Sequence, residues 1–220
     1  LIPAVEAVLA RFPVAGMRDG DGFLLNDPFA GGTHLPDLTL IRPVFMDDAL
    51  VGIAAASLHH QDVGGITPGS IPPNATSIFQ EGLRIPPVQS HRGGVLDPLL
   101  EALLVANSRT PDLLLGDLAS QWSATSLGGR EMAGLAKREG KNFAALCDAL
   151  IAQAEAMTRQ ALSACPDGVG EWADALDNDG VGDTPVPLAV RLEKRGDNLT
   201  MDFTGTAAQT RSPVNAAPAA

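Results

Sequence analysis

The stretch from residue 63 to residue 94 constrains this chain most. It carries Pro68, Pro72, Pro73, Pro86 and Pro87 among many glycines, and its apolar residues follow no helical spacing. A connection this long with no secondary structure of its own is uncommon in a compact domain. Where it occurs it is usually functional or disordered. Ile66, Ile71, Ile78, Phe79 and Ile85 give it apolar anchors, so an ordered loop wrapped against a core is expected.

The surrounding elements follow from their own patterns. Ile2, Val5, Val8, Leu9 and Phe12 lie at helical spacing over residues 1–12, and Pro13 and Gly16 end that helix. "DGDG" at 19–22 is a turn before a short apolar strand, "FLLN". Residues 27–37 read as a Gly/Pro-rich loop. Strands are expected over 38–46 and 50–58 with a turn at 47–49, and Pro43 suggests an edge or a bulge in the first of them. A return of that kind brings the loop before the first strand close to the loop after the second.

From 97 to 164 the chain becomes Ala- and Leu-rich. Asp97 with Pro98, and Thr110 with Pro111, read as an N-cap followed by proline at the first helical position. Three or four packed helices are expected, with "GREMAGLAKREG" as a helix of its own. Residues 166–183 form an acidic loop and strand. "VPLAVRLEKRGDNLTMDFTGT" then reads as two strands around the "RGDN" turn. The expected class is α+β, mixed strands with long Gly/Pro-rich loops, a helical block at 97–164 and returning strands. All of 1–220 is expected to belong to one domain, with parts at 1–96, 97–164 and 165–220. The start at Leu1 inside a helical stretch and the stop at Ala220 suggest a fragment of a larger subunit.

Composition excludes several function classes. Hydrophobic residues make up 45% of the chain, enough for a sizeable core, and a 19% charged fraction argues against disorder. A net charge of −11 with no basic block disfavours nucleic acid and anionic membranes as partners. Aromatic residues at 4%, with no tyrosine, make a base-stacking platform improbable. No apolar run is long enough for a membrane span. Cys147 and Cys165 form no CxxC and read as incidental thiols of a cytoplasmic protein.

The chemistry concentrates in two stretches, "NDPFAGGTHLPDLTL" and "LHHQDVGGITPGSIPP". Three of the four histidines, His34, His59 and His60, fall there beside Asp27, Asp37 and Asp62. Imidazole nitrogen and carboxylate oxygen together suit Zn, Mn or Fe. Adjacent His59 and His60 point opposite ways in an extended segment, so at most one of them faces a shared ion. Gly31, Gly32, Gly64 and Gly65 permit tight backbone near such a site. The structural alternative stays open: Asp27 and Asp37 as turn residues beside prolines, and the histidines neutral in a core. Asp177 and Asp179 in "LDNDG" lack the frame of a calcium loop, and no phosphate loop or GxSxG elbow is present. Glu81 and Arg84 bind a polar substrate or simply pair with each other.

"FLLNDPFAGGTHLPDLTLIRPVF", "HHQDVGGITPGSIPPNATSIFQEGLRIPP" and "DFTGTAAQTRSPVNA" resemble the signature stretches of the hydantoinase B/oxoprolinase family. The resemblance runs over essentially all of 1–220. It implies the B-type subunit of an ATP-dependent amidohydrolase, one that opens a cyclic amide of the hydantoin or 5-oxoproline type. In that family an A-type partner with an actin-like ATPase fold binds ATP and activates the carbonyl. The B-type part, in a hetero-oligomer, holds a divalent metal, Mn, Fe or Zn. Carried over residue by residue, the metal set is Asp27, His34, His59 and Asp62, with His60 and Asp62 as catalytic groups. Gly64, Gly65 and Glu81 belong to the substrate loop. A carboxylase subunit acting on acetone or acetophenone, or a non-catalytic assembly piece, are the alternatives. "GGITPGSIPP" inclines the resemblance toward the hydrolases. The third stretch stops at "NAAPAA", so any part of the site beyond it lies outside this chain.

Overall fold

The computed structural model describes residues 1–219. The fold is α+β, and the chain divides into two compact units, Leu1–Arg138 with the last few residues, and Glu139–Asn215. The division falls at the end of one long helix. It therefore cuts the helical block instead of following the expected boundaries at 96 and 164.

The first unit is built on a five-stranded antiparallel sheet. Its strands are β1 (Gly22–Leu25), β2 (Asp37–Met46), β3 (Ala49–His59), β4 (Val88–Arg92) and β5 (Val95–Leu96), in the order β3-β2-β1-β4-β5. Both faces are covered, which explains why all four residues of β1 are buried. On one face Leu24, Leu38 and Leu40 pack with Leu104, Leu114 and Leu118 from helices α2 (Pro98–Asn107) and α3 (Pro111–Glu139). On the other, Phe23, Leu25 and Ile41 pack with Ala4 and Val8 of α1 (Ile2–Arg11) and with Met17. The alternation along each strand sends successive residues to opposite cores.

The β2–β3 hairpin closes on Asp47 and Asp48, both with positive φ (48° and 62°), between the paired residues Met46 and Ala49. Left-handed conformation at both positions is the tight two-residue turn whose twist suits a hairpin. The register shifts by one between Val44 and Phe45. Pro43 lies one residue from that bulge and beyond the reach of β1, so β2 is there paired to β3 alone. Proline's missing N–H is tolerated at such a place.

Asp97 caps α2 as expected, accepting from the N–H groups of Leu99 (2.9 Å) and Leu100 (3.1 Å). Thr110 does not cap α3 with its side chain, and its hydroxyl has no partner among the described residues. The helix α3 runs without a break through Gly128 and Gly129, where a new helix was expected. A Cβ at Gly129 would stand 3.2 Å from Val44 Cγ2, so this glycine lets the helix pass close to β2. Leu114, Leu118, Gln121, Thr125, Gly129 and Ala136 form the buried stripe, at a spacing of three, four and seven.

The second unit contains α4 (Phe143–Ala164) and a three-stranded antiparallel sheet. Its strands are β6 (Gly168–Leu176), β7 (Val186–Arg195) and β8 (Asn198–Asp202), in the order β6-β7-β8. Gly196 (φ 60°) lies in the β7–β8 turn, between the paired residues Arg195 and Asn198. Lys194 ties this end of β7 to Asp167 at 2.8 Å.

The loop between β3 and β4 is ordered mainly by specific hydrogen bonds. Of its expected apolar anchors, Ile85 is buried and Ile78 packs on the core, whereas Ile66, Ile71 and Phe79 are exposed. Residues 88–92 of the expected loop form β4. Asn26, fully buried, donates to Leu35 O (2.6 Å) and Leu83 O (2.9 Å) and accepts from Ile85 N (2.6 Å). One side chain thus joins the loop before β2 to the far end of the long loop.

Candidate metal centre

Asp37 is the first residue of β2 and His59 the last of β3, and the hairpin register sets them directly opposite. Cross-strand partners put their side chains on one face within contact distance. His34 joins them through a turn in which Asp37 N donates to His34 O at 3.0 Å. The outcome is a close triangle. His34 Nε2 lies 2.8 Å and His59 Nδ1 3.0 Å from the same oxygen, Asp37 Oδ1, and the two nitrogens are 3.2 Å apart. The two imidazoles are partly exposed, so the triangle opens to solvent.

The register shift decides this meeting. The turn-side pairs Phe45–Leu50 and Met46–Ala49, continued without a shift, would set Asp37 opposite Leu58. The bulge between Val44 and Phe45 moves the pairing by one residue and sets Asp37 opposite His59.

Burial alone would raise the Asp37 carboxyl. Hydrogen bonds from Thr33 and His34, the charge of His34 and a hydrogen bond from His59 outweigh it and hold the group below its ordinary value. The carboxylate is therefore ionised and ready to ligate. Two imidazole nitrogens and a carboxylate oxygen form the donor set borderline divalent metals take. Ligand atoms at adjacent octahedral corners around an ion with bonds of about 2.1 Å stand about 3 Å apart, and at tetrahedral corners about 3.4 Å. The three separations therefore suit one face of an octahedron. The facing nitrogens can share one proton within the triangle, and a divalent cation that displaces it meets all three atoms. The residues present fit a divalent ion.

The other expected site residues stand elsewhere. His60, the residue after β3, is fully buried and faces α3, away from the exposed triangle. Its Nε2 lies 3.0 Å from Gln121 Oε1. Gln121 uses both amide hydrogens on Leu38 O (2.8 Å) and Ala56 O (2.9 Å), so its oxygen must accept and His60 Nε2 must donate. His60 Nδ1 is then a bare acceptor with no partner among the described residues. Burial pushes this imidazole below its usual pKa, which keeps it neutral.

Asp62 is buried and fully engaged. It accepts from the N–H groups of Gly64, Gly69 and Arg109 and from Arg109 Nη1, at 3.0 to 3.1 Å. Although burial acts to raise its carboxyl, these bonds hold it below the ordinary value. Both oxygens are committed to shaping the long loop, and the assignment of Asp62 to an ion or to proton transfer finds no free atom here. Asp27 caps a short 3-10 turn, accepting from Phe29 N at 3.0 Å, and its other oxygen lies 3.7 Å from Arg84 Nε. Neither aspartate is among the groups that converge. Asp37, by sequence both a candidate ligand and a possible turn residue, converges with the two imidazoles instead.

Gly64 and Gly65 both have positive φ (94° and 85°). A Cβ would meet Asn107 O at 2.8 Å in the first and Gln80 O at 2.6 Å in the second. Close backbone packing therefore accounts for both glycines. Glu81 is half-buried. Burial raises its carboxyl, and the charge of His34 partly offsets that.

Sequence reading missed Arg109 as well as Asn26. Besides Asp62, Arg109 donates to Gly65 O (2.7 Å) and so staples the long loop to the start of α3. Its place before the Thr110–Pro111 helix start was the one available signal.

The chain matches the hydantoinase B/oxoprolinase family description over residues 1–220. It is 34% identical to the caprolactamase subunit beta of Pseudomonas jessenii over 198 residues, covering 90% of this chain and 34% of that protein. It is 32% identical to the acetophenone carboxylase delta subunit of Aromatoleum aromaticum over 207 residues, covering 93% and 30%. The crystal structure of the ATP-dependent caprolactamase from Pseudomonas jessenii superposes with a TM-score of 0.81 at 31% identity, over 92% of this chain and 35% of that one. The chain thus spans about a third of the length of these relatives. With a match across its whole length and a fold shared with a solved relative, the chain belongs to the hydantoinase B/oxoprolinase family.

Proposed function

We propose that this chain is the metal-bearing part of a B-type subunit that opens cyclic amides in an ATP-dependent reaction. The observation that carries the reading is the convergence of His34 Nε2, Asp37 Oδ1 and His59 Nδ1 within 3.2 Å of one another. These three residues hold a divalent ion, Mn, Fe or Zn. When bound, the ion polarises a carbonyl oxygen and makes water more acidic. Glu81, half-buried in the loop at 64–87, is the substrate-side carboxylate in this reading. The loop at 64–87, fixed by Asp62, Arg109 and Asn26, shapes the substrate side and limits access of bulk water. His60, fully buried one residue past the end of β3, touches the site only through its chain neighbour His59.

ATP is assigned to an A-type ATPase partner, which activates the ring carbonyl before water adds to it, so the working enzyme is a hetero-oligomer. The naming of one relative as an ATP-dependent caprolactamase supports this. A cytoplasmic setting fits the exposed, unpaired Cys147 and Cys165. No helix among the described residues is long and apolar enough to cross a membrane. A second reading, a carboxylase subunit acting on a ketone, is favoured by the 32% identity to the acetophenone carboxylase subunit.

The test pairs the full subunit with its ATPase partner and supplies ATP, metal and a panel of lactams, hydantoins and 5-oxoproline. Ring-opened product that disappears in Asp37→Asn supports the hydrolase. Consumption of a ketone only when bicarbonate is present would transfer the assignment to the carboxylases.

A further inference from the structure

The two oxygens of Asp37 have different neighbours. Oδ1 faces the ring nitrogens, while Oδ2 accepts a hydrogen bond from Thr33 Oγ1 at 2.7 Å. The backbone around Thr33 is fixed on both sides. Gly32 N donates to Asp27 O at 2.9 Å, and Asp37 N donates to His34 O at 3.0 Å. Gly32 itself packs so closely on the backbone of Asn26 that no Cβ would fit. The hydroxyl is thus delivered by an ordered turn.

We infer that Thr33 is a positioning residue for the ion site, one that holds Asp37 Oδ2 aside so that Oδ1 alone is presented to the metal. This rests on the reading above that His34, Asp37 and His59 hold an ion. The physical reason lies in the carboxylate's remaining freedom. Strand pairing with His59 fixes the backbone of Asp37, but rotation about its terminal side-chain bond is soft. An unrestrained carboxylate offers an ion either oxygen or both. A donor on Oδ2 selects one orientation and disfavours the two-oxygen mode, as partners of ligating carboxylates do generally. The chain then supplies three ligand atoms and leaves the remaining positions to water and substrate, as an open catalytic site requires. Thr33 is exposed, so its bond competes with water, and an effect at the small end of the usual range is expected.

The test measures affinity of the full subunit for Mn²⁺ and Co²⁺ by metal-buffered titration, with melting temperatures for metal-free and loaded protein. Thr33→Val keeps the shape and removes the hydroxyl, and Thr33→Ser keeps the hydroxyl. The expected result is about tenfold weaker binding in Thr33→Val, near wild-type binding in Thr33→Ser, and an unchanged melting temperature for both metal-free variants. Equal affinity in Thr33→Val and wild type would overturn the role of Thr33 while leaving the ion site standing. Weaker binding with a matching fall in metal-free melting temperature would reduce Thr33 to a turn residue. A wild-type subunit that takes up neither ion would overturn the ion site itself, and this inference with it.

Discussion

Aspartates 27, 37 and 62 lie in similar Gly/Pro-rich surroundings, yet each side chain has a different task. Asp27 caps a turn, Asp62 organises a loop, and Asp37 faces two imidazoles. The sequence put His34, Asp37 and His59 among six candidate ligands. At most one of His59 and His60 was expected to face a shared ion, without showing which, while His60 was expected to be catalytic. The family motif positions favoured Asp27 and Asp62 over Asp37, and a motif does not show which carboxylate oxygens are already hydrogen-bonded. Asp62→Ala leaves three backbone donors and a guanidinium without their acceptor. It is expected to cost about 2 kcal/mol or more, read as a lower urea midpoint, while metal content per folded molecule stays at the wild-type level. Because the Asp62 carboxyl is held below its ordinary value, its contribution is present above about pH 4 and is lost as the pH falls through the lowered value. Asp62→Ala lacks that contribution at neutral pH.

The elements were legible wherever one period dominated. α1, the first three strands and the Asp97 cap of α2 follow from apolar spacing and cap chemistry. The unbroken α3 did not, because paired glycines are an ordinary stop signal and only the approach to Val44 explains Gly129. Gly129→Leu should therefore destabilise by about 1–3 kcal/mol through overpacking. Gly116→Ala, in the same helix with open space around it, should stabilise by about 0.5–1 kcal/mol. Denaturant midpoints of the two variants should move in opposite directions. The packing of β4 on α3 makes a further prediction. His91 stacks on Trp122 with ring centroids 4.1 Å apart, and burial together with the charge of Arg42 pushes it down to about 4. The folded state thus keeps His91 neutral where the unfolded chain would protonate it. Stability should fall as pH drops from about 6.5 and level off near pH 4, by about 3 kcal/mol in all. A His91→Phe variant should lack that portion of the slope in pH-dependent unfolding.

At the scale of the whole molecule, the family motifs were legible because they are long and fall in order along the chain. The α+β class followed from the succession of strands, helices and strands. The division into two units was not legible, since it falls at the end of α3 where the Ala- and Leu-rich composition continues unchanged. The site depends on a one-residue bulge in a hairpin, a feature without a local signal beyond Pro43. The register places Asp37 across from His59, the turn brings His34, and Thr33 bonds the carboxylate, so long-range and local structure together build the cluster proposed to hold an ion.

Metal content by mass spectrometry tests that site most directly, on the full wild-type subunit and on His34→Ala, Asp37→Asn, His59→Ala and Asp27→Asn. The account predicts near-stoichiometric Mn, Fe or Zn in the wild type and in Asp27→Asn, and loss of the ion in the other three. A wild type that holds no metal after incubation with all three ions, or an ion that survives in Asp37→Asn and leaves in Asp27→Asn, would contradict it.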